Sequence, residues 1–273
     1  MAEPAPDDQR RALLERWDHV SAGWAKHADW VRDSSAPLAH WLVDALALQP
    51  GETVLELAAG PGDTGFLAAE LVQPGGRLIS SDQSEAMVEI ARARAAKLGL
   101  RNVEHQVINA ESIDLPVASV DAVICRWGLM LFVDPAAALA EMRRVLKPGG
   151  RVALAVWASH KRNQWFVVPT QAAIRRGLAP APNEEEPGPF ALEDPARLTA
   201  LFEGAGFVEV EIDEVEIDEG AATFEEFWER RLDMSLMGEA VRAAPTDVQR
   251  ALADEVRRQL RDFTGVSLAA LAG

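Results

Sequence analysis

Apolar residues recur at helical spacing through the first fifty positions: Ala12, Leu13, Trp17 and Val20, then Trp24, Trp30, Leu38, Trp41, Leu42 and Leu46. The pattern predicts helices that end at Pro50-Gly51. From Thr53 the period changes. Short apolar runs at 53–57, 77–81, 103–108, 120–125 and 151–157 read as strands. Helical stretches separate them: Phe66 to Leu71, the stripe Met87, Ile90, Ala91 and Leu98 closed by Gly99, and a helix that opens at Asp134-Pro135. That last opening pairs an N-cap acceptor with a proline at the first helical position. Lys147-Pro148-Gly149-Gly150 stops the helix.

This alternation predicts an α/β fold: a doubly wound, mostly parallel sheet of six or seven strands, Rossmann-like, with N-terminal helices and an added C-terminal helical region. Past Ser159 the expected elements are a helix at 163–176, a loop at 178–189, a helix at 195–203, a strand at 207–212 with room to extend, and helices at 224–236 and 248–260. Only Gly265 to Gly273 then remains for a short closing strand at the sheet edge. The expected organisation is an N-terminal helical lid (1–50), a ligand-binding core (51–158), and a region completing the sheet with helical cap insertions (159–273). The helical stretch 224–262 would either cover the site or form a homodimer surface.

Composition narrows the partners. The chain has 273 residues, 48% hydrophobic and 26% charged, with a net charge of −16. A field of that sign disfavours nucleic acid and anionic membrane surfaces. One cysteine, Cys125, allows neither an internal disulfide nor a cysteine metal cluster, and no ligand set for a metal stands out. The polar start is unlike a signal peptide, and no apolar stretch reaches membrane-spanning length, so a cytoplasmic protein is expected.

Parallel sheets bind ligands beyond the carboxyl ends of their strands. There Gly60-Pro61-Gly62-Asp63-Thr64-Gly65 matches the dinucleotide-type glycine turn, and Asp82 closes the next strand. Glu56 and Asp63 would crowd a pyrophosphate at that helix start. They suit the ammonium and sulfonium of S-adenosylmethionine (SAM) instead.

The carrying residues are Val54-Leu55-Glu56-Leu57-Ala58-Ala59-Gly60-Pro61-Gly62, Ser81-Asp82-Gln83-Ser84, Asn109-Ala110-Glu111, Val120 to Ile124, and the run EMRRVLKPGG from Glu141 to Gly150. In this order they resemble the class I SAM-dependent methyltransferases, especially the branch of the ubiquinone and menaquinone C-methyltransferases. The resemblance spans about residues 40 to 157. Two positions depart from it. Ala58 replaces the first glycine of the turn, and Asn109 replaces the usual aspartate, so it can accept from an adenine amino group but brings no charge.

The resemblance implies site roles. Asp82 should accept from the ribose hydroxyls, and Gly60 and Gly62 should let the backbone approach the ligand. Glu56 is expected at the methionine end, beside the turn at Ala58. Asn109, Ala110 and Glu111 should meet adenine, with Gln83 or Met87 packing on the adenosine. Arg126 would bind the methionine carboxylate or an acidic substrate. Trp24, Trp127, Met130 and Trp165 are expected to line the acceptor pocket.

Methyl transfer from a sulfonium is a direct displacement that depends mainly on alignment, and a base is needed only for a tightly held proton. His160 and His27 are the candidate bases, with His40 behind them. The expected activity is methyl transfer to a small apolar or aromatic molecule. The alternatives are a non-catalytic SAM-binding protein and an NAD-dependent oxidoreductase.

Overall fold

Among the described residues seven strands pair into a single sheet, its central strands built from apolar runs such as Val54-Leu55 and Ala122-Val123-Ile124. The computed structural model describes residues 6–181, 186–218, 220–221, 223–260 and 264–273. Its strands are β1 (Thr53–Glu56), β2 (Arg77–Asp82), β3 (Val103–Val107), β4 (Val120–Arg126), β5 (Leu146–Trp157), β6 (Glu211–Asp218) and β7 (Thr264–Ala272). Their order is β3-β2-β1-β4-β5-β7-β6. The first five are mutually parallel, and β7 runs antiparallel to both β5 and β6. The mostly parallel, doubly wound sheet expected from the sequence is therefore present, with seven strands.

Among the described residues, α1 (Pro6–Lys26), α2 (Ala28–Ser34) and α3 (Ala36–Ala45) precede the sheet. Between strands lie α4 (Asp63–Leu71), α5 (Glu85–Leu98) and α6 (Pro135–Val145). After β5 come α7 (Gln164–Ile174) and α8 (Pro195–Gly204), and after β6 come α9 (Phe224–Asp233), α10 (Met237–Ala243) and α11 (Thr246–Gln259). The core is continuous. Leu55 and Ile124 of the central strands, Leu139 and Met142 of α6, and Leu38 and Leu42 of α3 are all fully buried. Each such side chain contributes about 1.5–3 kcal/mol.

Several elements differ from expectation. The strand expected from Phe207 begins at Glu211 instead. Phe207 is held against the end of α8, its N–H donating to the Phe202 carbonyl and the two rings 5.5 Å apart. Val208 pairs with Gly273, and Glu209 then takes a left-handed φ of +53°, which delays the regular ladder. The expected edge strand at the C-terminus is interior, between β5 and β6, where Ala269, Ala270 and Ala272 are buried. The helix expected over 224–236 stops at Asp233, and a separate α10 follows. Lys147-Pro148-Gly149-Gly150 lies within β5 and bulges: Val120 pairs with Leu146, but Ala122 pairs with Arg151.

Candidate functional site

After β1 the chain winds outward through β2 and β3, then returns to β4 on the other side of β1. This reversal opens a crevice at the carboxyl ends of β1 and β4. Three turns converge there.

The first turn leaves β1 through Ala58 at φ +51° and Gly60 at φ +53°, and enters α4 at Gly62. A Cβ on Gly60 would have no heavy atom within 4 Å, so the backbone faces open space. Glu56 turns inward. It is 2% exposed, and it accepts from the Gly65 N–H at 2.7 Å and the Ser80 hydroxyl at 3.1 Å. A Cβ on Gly65 would lie 2.2 Å from that carboxylate, so glycine is required for the approach. Burial pushes the Glu56 carboxyl up to about 8, against the Gly65 N–H, the Arg126 charge and the Ser80 hydroxyl. Glu56 thus fixes the start of α4 to the sheet.

The second turn follows β2. Asp82 accepts from the Gly60 N–H and the Ser84 N–H, each at 3.0 Å. Its burial raises the carboxyl above the ordinary aspartate value, and backbone N–H groups of Ser84, Gly60 and Gln83 oppose that rise. Met87 is buried in the first turn of α5, where its N–H donates to the Ser84 capping hydroxyl. The third turn follows β3. Asn109 accepts from the Glu111 N–H at 2.9 Å, Ala110 is buried, and Glu111 accepts from the Val133 N–H at 2.8 Å.

Helix α1 ties these turns together through two residues that sequence reading missed. Arg10 donates to Glu111 from Nε at 2.8 Å and from Nη2 at 2.6 Å. Asp18 accepts from the Ser84 hydroxyl at 2.5 Å. Both look like ordinary surface charges on an amphipathic helix. Only the tertiary placement of α1 gives them partners.

The open backbone at Gly60 and the buried Asp82 carboxylate fit a ligand that carries a ribose. Asp63 pairs through Oδ1 with Arg94, while its Oδ2 and the Thr64 Oγ1, in the first turn of α4, are buried without a hydrogen-bond partner. A buried acceptor left unpaired costs about 1–3 kcal/mol, which a cationic donor in the turn would offset. The turn therefore fits SAM: Asp82 would hold the ribose, while Asp63 and Thr64 offer acceptors to an ammonium. A pyrophosphate would meet the unpaired Asp63 Oδ2 and Thr64 Oγ1, and the cation beside them, Arg94, is already held by Asp63.

Beyond β4 the backbone is strained. Trp127 holds φ at +60°, unusual for so bulky a residue. This turn stacks its ring on Trp157, at the end of β5, with centroids 4.6 Å apart and planes 16° apart. Trp157 meets Trp165 at 5.2 Å, Trp165 meets Phe166 at 5.6 Å, and Phe166 meets Phe190 at 5.5 Å. Met130 is buried beside this row, its sulfur accepting the Trp157 N–H at 3.4 Å. Arg126 lies 4.6 Å over Trp127 and donates to the buried Ser35 hydroxyl at 2.6 Å. Trp24 lies apart from the row, edge-on to Trp17 at 5.9 Å. Phe166 and Phe190 were not foreseen, because the helical pattern alone does not say which face meets the sheet.

Both candidate bases are bound to carboxylates. His27 Nε2 lies 2.7 Å from Asp233, which also accepts from Lys26 and Arg242 at 2.6 Å each. Burial acts to raise the Asp233 carboxyl, but these three bonds outweigh it and bring it down to about 2. The His160 Nδ1 lies 2.9 Å from Glu193, in an exposed 3-10 turn. Among the described residues no group of three or more His, Cys, Asp or Glu is arranged to hold a metal ion. No helix among them is long and apolar enough to cross a membrane.

Comparison with known proteins agrees with this geometry. Residues 48–176 match the family model described as a methyltransferase domain. An uncharacterised protein of Mycobacterium tuberculosis is 35% identical over 156 residues, 56% of this chain and 54% of that one. The ubiquinone/menaquinone biosynthesis C-methyltransferase of Escherichia coli is 36% identical over 111 residues, 40% of this chain and 44% of that enzyme. The chain thus spans about half the length of these relatives. A solved structure of a putative methyltransferase from Bacillus halodurans superposes with a TM-score of 0.58 at 21% identity, covering 86% of this chain and 97% of that one, a likeness of fold.

Proposed function

We propose, from the premise that residues 48–176 are a class I SAM-dependent methyltransferase domain of the ubiquinone/menaquinone C-methyltransferase branch, that the whole protein methylates a small apolar or aromatic molecule. The observation that carries the cofactor assignment is Asp82, buried at the end of β2 and bonded to the Gly60 N–H. When bound, SAM supplies an activated methyl group on a sulfonium. The chain's own residues supply position. Asp82 and the Gly60 turn hold the adenosine, the third turn at Asn109 and Ala110 meets adenine, and Gln83 lies beside the ribose site.

The aromatic row from Trp127 to Phe190 supports an aromatic or apolar acceptor, because mostly apolar pockets with a few placed polar groups bind small molecules. Trp165 is anchored within it, donating to Asn163 at 3.3 Å. The chemistry then depends on alignment between this row and the first turn. His27 acts, in this reading, by tying the start of α2 to α9, and His160 by tying the turn after β5 to the loop before α8.

The test is calorimetry with SAM and S-adenosylhomocysteine on the whole chain, with Asp82→Ala as control, followed by a methylation screen of arenes and phenols. Micromolar binding that is lost in the variant supports the site. A preference for NADH would overturn it. Cofactor binding with no methylation of any acceptor would favour a binding protein instead.

A further inference from the structure

Helix α1 is fastened unevenly. Among its described residues, the buried ones are Val20 and Ser21, both in its second half. That half is anchored. Gly23 packs so closely on the end of α9 that a Cβ there would collide with the Asp233 carbonyl, and Lys26 binds the Asp233 carboxylate at 2.6 Å. No residue from 7 to 19 is buried. Apart from an exposed pairing of His19 with Glu239, the polar contacts described between this half and the rest of the chain reach two turns of the cofactor crevice. Arg10 donates twice to Glu111 at the adenine turn, and Asp18 accepts from the Ser84 hydroxyl at the ribose turn. These two residues are about 12 Å apart along the helix, so residues 7–19 lie across the carboxyl ends of β2 and β3. Ser84 is fully buried between two carboxylates, its N–H on Asp82 at 3.0 Å and its hydroxyl on Asp18 at 2.5 Å. After burial itself, the nearby Asp18 charge is among the causes that raise the Asp82 carboxyl.

We propose that Arg10 and Asp18 are positioning residues for the cofactor: they latch residues 7–19 as a lid over the adenosine, and SAM and its product exchange only when this half-helix lifts. The proposal rests on the cofactor site proposed above and adds how that site opens. A segment with little buried apolar surface opens at a lower cost than the sheet beneath it. The pivot falls where burial begins, at Val20 and Ser21. The two latches differ in strength. Arg10 and Glu111 form a partly exposed ion pair, a kind that adds little stability. The bond from the buried Ser84 hydroxyl to the Asp18 carboxylate is charge-assisted and is the stronger of the two. Asp18 acts through Ser84 on Asp82, and Arg10 acts through Glu111 on the turn that follows β3.

The test is rapid-mixing kinetics of S-adenosylhomocysteine with the full chain, followed by tryptophan fluorescence, which gives its association and dissociation rates separately. Asp18→Ala should raise both rates by at least about tenfold, as loss of a charge-assisted hydrogen bond predicts. Arg10→Ala should raise both by about two- to fivefold. Asp18→Asn keeps an acceptor for Ser84 without the charge and should fall between Asp18→Ala and the wild type. The dissociation constant should move less than either rate, because a lid opposes entry and exit alike. Saturating S-adenosylhomocysteine should also slow amide hydrogen exchange over residues 7–19 more than over 20–26. Faster dissociation with unchanged association would mean that these residues support only the bound state, and it overturns the lid. Unchanged rates in both directions overturn it as well. If Asp18→Ala fails to fold, Asp18→Asn and Arg10→Ala are read the same way. A wild-type chain that binds no S-adenosylhomocysteine overturns the cofactor reading and the lid together.

Discussion

Glu56 gives the most quantitative test of how the first turn is held. Burial lifts its carboxyl from an ordinary 4.5 to about 8. Between those values the folded chain keeps a proton that the unfolded chain has released. Glu56 is neutral in both states at lower pH, so it contributes no pH dependence there. As pH rises toward 8 it makes folding progressively less favourable, by up to about 1.4 kcal/mol per pH unit. From pH 5 to pH 8 the loss sums to about 3–4 kcal/mol. Glu56→Gln keeps a carbonyl for the Gly65 N–H and an amide for Ser80, and it never ionises. Urea unfolding of both proteins, followed by tryptophan fluorescence across that range, isolates the residue. Subtraction removes other groups, including Asp82, whose carboxyl is also raised. The stability of Glu56→Gln relative to wild type should climb by about 3–4 kcal/mol toward pH 8. A difference that stays level, or that grows toward pH 5, would refute the claim that this carboxyl is held neutral in the fold.

Three further outcomes follow from the same contacts. Asp82→Asn, which keeps one acceptor and loses the charge, should weaken S-adenosylhomocysteine binding by about tenfold or more in calorimetry, as expected when a charge-assisted hydrogen bond of about 1.5–3 kcal/mol is lost. Arg10→Ala removes the fork on Glu111; with Arg10 about a third exposed, this should cost only about 1 kcal/mol, and amide hydrogen exchange should quicken along α1. Ser84→Ala removes both the N-cap of α5 and the partner of Asp18, and should lower stability in urea by about 1–2 kcal/mol.

The parallel half of the fold is legible in sequence because chemical markers separate its elements: Gly60 after β1, Asp82 at the end of β2, Gly99 closing α5 and Asp134 opening α6. The antiparallel half is less so. In β6 the run Glu211-Ile212-Asp213-Glu214-Val215-Glu216-Ile217-Asp218 hides its apolar positions among acids that only an exposed strand face tolerates. In β7 small residues such as Ala269 and Ala270 give no strand signal, and packing between two neighbours decides their state. Within the site, residue types at strand ends placed Asp82 and the glycine turn. Glu56 could not be read in the same way, because whether a strand-end acid faces a ligand or a helix start depends on a glycine nine positions later.

The hairpin of β6 and β7 has one last consequence. Helices α9, α10 and α11 lie between its two strands in the chain, and the hairpin joins the rest of the sheet only along the β5–β7 ladder, Val152 to Trp157. These helices are thus inserted between two paired strands, and they pack on α1 and α7 rather than on the parallel strands. Insertions, deletions or whole-helix exchanges within it leave the registers of β1 through β5 untouched. Grafting a different helical span between these two strands therefore changes one side of the molecule while the parallel strands keep their pairing.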